Sequence, residues 1–301
     1  MIIKYVWRTF LAQLMIALFC TIAYASQIGV IMTGDIQYYR EIHKTFLENF
    51  KHNHEIVLQT PMPNAMSWTN SARKLVTLGS DMIISYGTPA TLTTMKATSD
   101  IPIVFAGVYD PAAMQIAGKN ATGISSTVSV KNILKKLKKL SKGSKLGVIL
   151  GKSEKDTILQ TRQIQKDAKS VGFESVLFAV KGSIDTKLIK GVDAILLTSC
   201  SAAMLKLNDI VSIARRDKIP LAAIIGGGEN HGVLLTVSAD TKEQGEKLAD
   251  AVNKIIEGTK VSAIPIADPK HIETTINLNE AQTIGLNIPE DIRDSATNVI
   301  E

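Results

Sequence analysis

From Ser26 onward the chain alternates short β-type runs with helical stretches, and it runs through this alternation twice. Ile28–Met32 reads as a strand ending at Thr33-Gly34-Asp35. Ile36, Tyr39, Ile42, Phe46 and Phe50 follow at the three- and four-residue spacing of a helix. Glu55–Gln59 is a second strand, Ala65–Leu78 a second helix, and Asp81–Ser85 a third strand that stops at Tyr86-Gly87. There Thr88 can cap the next helix and Pro89 suits its first position. A fourth strand, Ile101–Val108, ends at Tyr109-Asp110-Pro111. Such units in register predict a parallel sheet with helices on both faces.

The second passage predicts helices over Val130–Leu140, Ser153–Val171, Ile184–Ile189 and Ala202–Arg216. Between them lie strands at Leu146–Leu150, Val176–Val180, Val192–Thr198 and Leu221–Ile225. Gly, Ser and Thr concentrate over Gly123–Val128, which predicts the joint there. The fold class expected is therefore α/β, with two Rossmann-like lobes, each a parallel sheet, joined by a hinge. We assign residues 1–25 to an export signal, 26–125 to the first lobe and 126–239 to the second. After a strand at Val233–Val237, the helix Thr241–Glu257 is expected to return to lobe 1 (about 240–260). Residues 261–301 are placed with lobe 2.

The export assignment rests on Lys4 and Arg8, an apolar run from about Phe10 to Ile22, and Ala23-Tyr24-Ala25 before Ser26. The run is short for a bilayer span, which needs roughly 20 apolar residues. Phe19 and Ala17 argue against lipidation at Cys20. Cleavage after Ala25 puts the mature chain in the periplasm with Cys200 as its only cysteine, so apolar burial rather than a disulfide must hold the fold. It also lowers the formal charge of +6 by two, and so modest a surplus does not point to nucleic acid. Aromatic residues make up 5% of the chain, and the apolar remainder is rich in Ile, Val, Leu and Ala, as buried parallel strands require. Seven lysines between Lys131 and Lys145 interleave with Ile133, Leu134, Leu137 and Leu140, the pattern of an amphipathic helix with a solvated basic face. Contact of that face with anionic lipid headgroups is the alternative.

Ligands of open parallel sheets bind outside the carboxyl ends of the strands. Six such ends carry polar residues, and the candidate binding residues come from them: Thr33, Gly34, Asp35, Tyr86, Gly87, Thr88, Pro89, Ala90, Tyr109, Asp110, Thr198, Ser199, Cys200 and Glu229. Ser125, at the joint, is added. The Tyr86–Ala90 turn has the clearest chemistry. Free N–H groups at a helix start, with the Thr88 hydroxyl, suit a carboxylate. Asp35 or Asp110 would then face an ammonium group, and Tyr38, Tyr86 and Tyr109 would line an apolar portion.

Three segments resemble the ABC transporter substrate-binding family that includes tryptophan- and tyrosine-binding members. They are Ser85-Tyr86-Gly87-Thr88-Pro89-Ala90, then Asp100–Pro111 with Thr122-Gly123-Ile124-Ser125, and Ile276–Ala281 with Gly285–Pro289. The resemblance implies a type I periplasmic-binding-protein fold, an amino acid or related solute, closure about a hinge, a membrane permease as partner and no cofactor. One departure stands out. Where the family often carries an acid at a second-lobe strand end, this chain has Leu197-Thr198-Ser199-Cys200. A ligand-sensing protein that partners a receptor would need the same features. An enzyme is the weaker reading, since Cys200 has no base identifiable from sequence, and His52 and His54 sit at a surface turn without further ligands.

Overall fold

The computed structural model describes residues 26–116, 120–180 and 189–301. The export signal (1–25) and most of the helix expected over Ile184–Ile189 lie outside the described residues. The first sheet has the order β2-β1-β3-β4-β5, all parallel. Its strands are β1 (Gln27–Met32), β2 (Glu55–Gln59), β3 (Met82–Tyr86), β4 (Ile103–Val108) and β5 (Ala121–Ser125). β3, β4 and β5 are buried along their whole length, and β1 beyond its first residue, which is why they read as apolar runs without alternation. Helices α1 (Gln37–Asn49), α2 (Ala65–Thr77) and α3 (Thr88–Ala97) connect them.

The second sheet runs β12-β11-β10-β9-β8-β6-β7 and is parallel except at β10–β11. It comprises β6 (Lys145–Gly151), β7 (Glu174–Val180), β8 (Ala194–Leu197), β9 (Leu221–Ala223), β10 (Leu235–Ala239), β11 (Ile272–Asn277) and β12 (Asn298–Ile300). Its helices are α4 (Val130–Leu140), α5 (Lys155–Ser170), α6 (Ser201–Met204), α7 (Leu207–Asp217), α9 (Leu278–Ile284) and α10 (Glu290–Asp294). The remaining helix, α8 (Thr241–Ile256), packs on α1, β4 and β5 of the first sheet. In α4 the apolar residues Ile133, Leu134 and Leu137 are buried, while Lys138 lies over the Phe173 ring and Lys139 pairs with Asp291.

Two segments differ from the sequence expectation for identifiable reasons. The Gly-rich joint is in part the edge strand β5. A Cβ on Gly123 would lie 2.0 Å from Phe105 O, so glycine there serves a close strand approach rather than a flexible linker. The helix expected over Ala202–Arg216 is interrupted at Leu205–Lys206, leaving the single turn α6 at the mouth of the sheet.

Hydrogen bonds brace the places where the chain passes between the two sheets. Gln244 on α8 donates to Ser125 O (2.7 Å) and accepts from Gly107 N (2.9 Å). Ser125 N donates to Ala267 O, and the Tyr38 hydroxyl donates to Ala239 O (3.2 Å). Glu243 accepts from the Lys270 and His271 amides (2.9 and 2.8 Å).

Candidate functional site

In each sheet the strand order reverses once, between β1 and β3 in the first and between β6 and β8 in the second. Loops leaving two strands on either side of such a reversal diverge and open a crevice. The four loops concerned are Thr33–Ile36, Gly87, Lys152–Glu154 and Thr198–Cys200. They face one another. A Cβ on Gly34 would sit 3.2 Å from Ser201 Cβ of the opposite lobe, and α3 meets α5 across the seam.

The first lobe contributes hydroxyls and a helix start. Gly87 has φ +84°, and a Cβ there would fall 2.3 Å from Tyr39 Oη, so only glycine lets the chain turn into α3 beside that ring. Thr33 Oγ1 donates to Tyr86 O (2.9 Å) and accepts from Ala90 N (3.2 Å). Pro89 has no N–H, and Thr91 N is taken by Gly87 O. The anion seat expected from sequence is thus narrower than a bare helix start and centres on Thr88. Its hydroxyl is fully buried and unpartnered.

The second lobe contributes acids. Glu154 accepts from Ser201 N (3.0 Å), Ala202 N (3.3 Å) and Cys200 Sγ (3.3 Å). Burial raises its pKa, and these donors oppose the rise. The acid missing from Thr198-Ser199-Cys200 is therefore supplied from the neighbouring β6–α5 turn. Asp156 is 1% exposed, and its Oδ1 has no partner. Burial first, then the charge of Glu154, push its carboxyl up to about 7. The Thr88 hydroxyl lies near enough to Asp156 to favour its charged form, although no hydrogen bond of good geometry closes between them. Ser201 Oγ is likewise buried without a partner.

Other sequence-derived candidates occupy different places. Tyr86 turns its hydroxyl to His43 Nδ1 (2.9 Å). Asp35 is exposed and paired with Arg40 (2.7 Å). Asp110, at φ +44°, accepts from Ala113 N (2.9 Å), and it lines with Tyr109 and Asp167 a flanking recess of about 280 Å³. Thr198 bonds Ile149 O (2.7 Å), Ser199 is held by both ends of the Gln160 amide, and the Ser125 hydroxyl bonds Thr127. Glu229 accepts from Gly227 N (2.8 Å) near the interlobe crossings. Burial and Glu154 hold the Cys200 thiol protonated, the reverse of what a nucleophile needs. Among the described residues no three His, Cys, Asp or Glu side chains converge as metal ligands. Tyr39, Glu154, Asp156 and Ser201 were not among the sequence candidates. The acids do follow the β6 strand end, but there they read as ordinary first-turn residues of a helix.

Two α/β sheets with apposed switch points and a polar seam between them define the type I periplasmic-binding-protein fold. Residues 47–300 match the ABC transporter substrate binding protein family, and the chain belongs to it. A tyrosine-binding protein of Clostridioides difficile (strain R20291) is 27% identical over 231 residues, 73% of this chain and 66% of that protein, so the chain spans just under two thirds of that relative. A Streptococcus pneumoniae domain solved with L-Trp superposes with TM-score 0.84 at 22% identity, over 92% of this chain and 100% of that one. A ligand-free, open substrate-binding protein of Clostridium difficile with adhesive properties gives 0.62 at 22% identity, over 92% and 99%.

Proposed function

We propose that this chain is the extracytoplasmic solute-binding protein of an ABC transporter, taking up a small amino-acid-like solute between its lobes and handing it to a membrane permease. The observation that carries the reading is the set of buried, unpartnered polar atoms contributed by both lobes to one seam: Thr88 Oγ1, Asp156 Oδ1 and Ser201 Oγ. An unsatisfied buried hydroxyl costs about 1–3 kcal/mol, so a guest that pairs with all three stabilises the closed form relative to the open one. The anionic end of the solute sits at the α3 start on Thr88, where the helix dipole favours negative charge. Closure about the crossings at Ser125, Ala239 and Ala267 brings the second lobe onto it. The better superposition on the L-Trp complex than on the open, ligand-free relative, at equal coverage of this chain, supports a closed arrangement of the lobes. Family membership and the Ala23-Tyr24-Ala25 processing pattern support an exported protein.

The reading is tested by denaturing the purified protein and identifying the released small molecules by mass spectrometry, followed by calorimetric titration of the stripped, refolded protein with the twenty amino acids. One released or titrating amino acid, bound with one-to-one stoichiometry, is the expected result. No released solute and no heat from any of the twenty would overturn it.

A further inference from the structure

Charge is unevenly placed along this chain, and solute binding between the lobes leaves its densest part unused. Residues 26–125 carry seven Lys or Arg and seven Asp or Glu, whereas residues 126–239 carry 19 Lys or Arg against nine Asp or Glu. Seven of those 19 are the lysines from Lys131 to Lys145, a stretch with no acid and no arginine. Continued past Leu140, the helical turn of α4 gathers Lys131, Lys135, Lys138, Lys139 and Lys142 within about 100° of arc. The buried Ile133, Leu137 and Leu140 lie on the opposite side. Some of these cations are tied down. Lys138 donates to Gly143 O (2.7 Å), Lys139 pairs with Asp291, and Lys136 donates to the Ser295 hydroxyl. Lys131, Lys135 and Lys142 are exposed, and among the described residues they form no ion pair. Beside them, between α4 and strands β10 and β11, runs a groove of about 520 Å³. Asn132, Lys135 and Lys136 line it from the helix, and Val237, Ile272 and Thr274 from the sheet. Ile272 is 38% exposed there, so apolar surface lies directly beside free cations.

We propose that this face of the second lobe is a docking surface for an anionic membrane, with phospholipid phosphates on Lys131, Lys135 and Lys142 and the glycerol end of one lipid entering the groove over Ile272. Each lysine brought to such a surface strengthens binding about fivefold. The kind of cation favours a lipid surface over an acidic protein segment. Carboxylates of a protein partner are held best by the planar fork of arginine, which this stretch lacks. A lattice of phosphates asks only for closely spaced point charges on flexible stems, and an apolar floor beside them suits the boundary between headgroups and acyl chains. The attachment is reversible adsorption, since no helix among the described residues is long and apolar enough to cross a membrane. It does not depend on which solute the cleft takes. For an exported binding protein it would confine the search for a permease to the membrane plane, where the effective concentration of both is higher.

Vesicle flotation of the full-length mature protein tests the surface. Wild type is expected to float with phosphatidylcholine vesicles containing about one third phosphatidylglycerol at about 50 mM salt, and to stay behind with phosphatidylcholine alone. Raising the salt to about 300 mM should release it, because screening shortens the reach of the charges. The combined variant Lys131→Gln, Lys135→Gln and Lys142→Gln should bind the anionic vesicles about a hundredfold more weakly. A control with Lys51→Gln, Lys74→Gln and Lys96→Gln removes the same charge from exposed positions of the first lobe and should bind as wild type does. Thermal unfolding near the wild-type midpoint verifies that both variants are folded. Ile272→Ser, which removes apolar floor and no charge, should weaken binding about threefold with the same salt dependence. Wild type that ignores anionic vesicles, or an equal loss in the two lysine variants, overturns the proposal, the second outcome by reducing it to net charge. Capture by an immobilised polyglutamate peptide without binding to vesicles would give the face to a protein partner and overturn it too. An Ile272→Ser protein that binds as tightly as wild type would strike the groove from the site. No readout here depends on a solute, so failure of this surface would leave the solute-binding reading untouched.

Discussion

The two halves of the seam are built from the same fold element, a parallel sheet read at its switch point, yet they present opposite chemistry. In the first lobe the loops after β1 and β3 offer hydroxyls and the start of α3, with Gly87 folded tightly against Tyr39. In the second, the loops after β6 and β8 offer two buried carboxyls, one spent on backbone amides and the other left open. Topology thus fixes where a ligand is met, while a handful of side chains fixes its sign. Under the proposed function, a solute carrying both charges would match both halves at once, and neither half alone would hold it. That would be a physical reason for the lobes to close on it rather than bind it on one side.

Substitutions that attack one half at a time should separate these contributions. The largest effect is expected from Gly87→Ala, which places a Cβ 2.3 Å from Tyr39 Oη on a backbone of positive φ. Thermal or denaturant unfolding should show a loss of about 3 kcal/mol, and the start of α3 should shift, weakening solute binding as well. Next comes Asp156→Asn, which leaves shape intact and removes charge. Titration with the released solute should show affinity lower by about 2 kcal/mol, with unfolding of the free protein barely altered. Thr88→Val should cost roughly tenfold in affinity, or about 1.4 kcal/mol, while the stability of the free protein holds or rises slightly, because an unpaired buried hydroxyl is lost. The smallest change in binding is expected from Asp110→Ala. Its carboxylate is committed to Ala113 N, so it should lower the unfolding midpoint, by about 1 kcal/mol of lost capping, and leave affinity near wild type. A larger loss of affinity at Asp110 than at Asp156 would invert the assignment of the two halves.

Much of the architecture was legible in the sequence because buried parallel strands leave a strong signature. Runs such as Ile28–Met32 and Met82–Tyr86 are apolar on both faces, and Thr88-Pro89 after Gly87 marks a helix start. Strand order was not legible, since nothing local in a strand says which neighbour it pairs with. That order decides which of the six polar strand ends meet. Thr33, Gly34, Gly87, Thr88 and Cys200 fall at the switch points, whereas Tyr109, Asp110 and Glu229 leave strands beyond them. Asp156 escaped notice because an acid in a first helical turn complements the dipole of any helix, and only its burial opposite Thr88 sets it apart. Tyr39 was hidden by its neighbour. Tyr38 and Tyr39 are equally buried, but Tyr38 bonds Ala239 O between the lobes while Tyr39 reaches the seam.

The most direct test is a crystal structure of the protein with its released solute bound. The account predicts one solute enclosed between the lobes, its nitrogen at hydrogen-bonding distance, about 3 Å, from Asp156 and its anionic end on Thr88. A solute lodged instead in the recess of Tyr109, Asp110 and Asp167, or one with its anionic end turned toward Asp156, would contradict it.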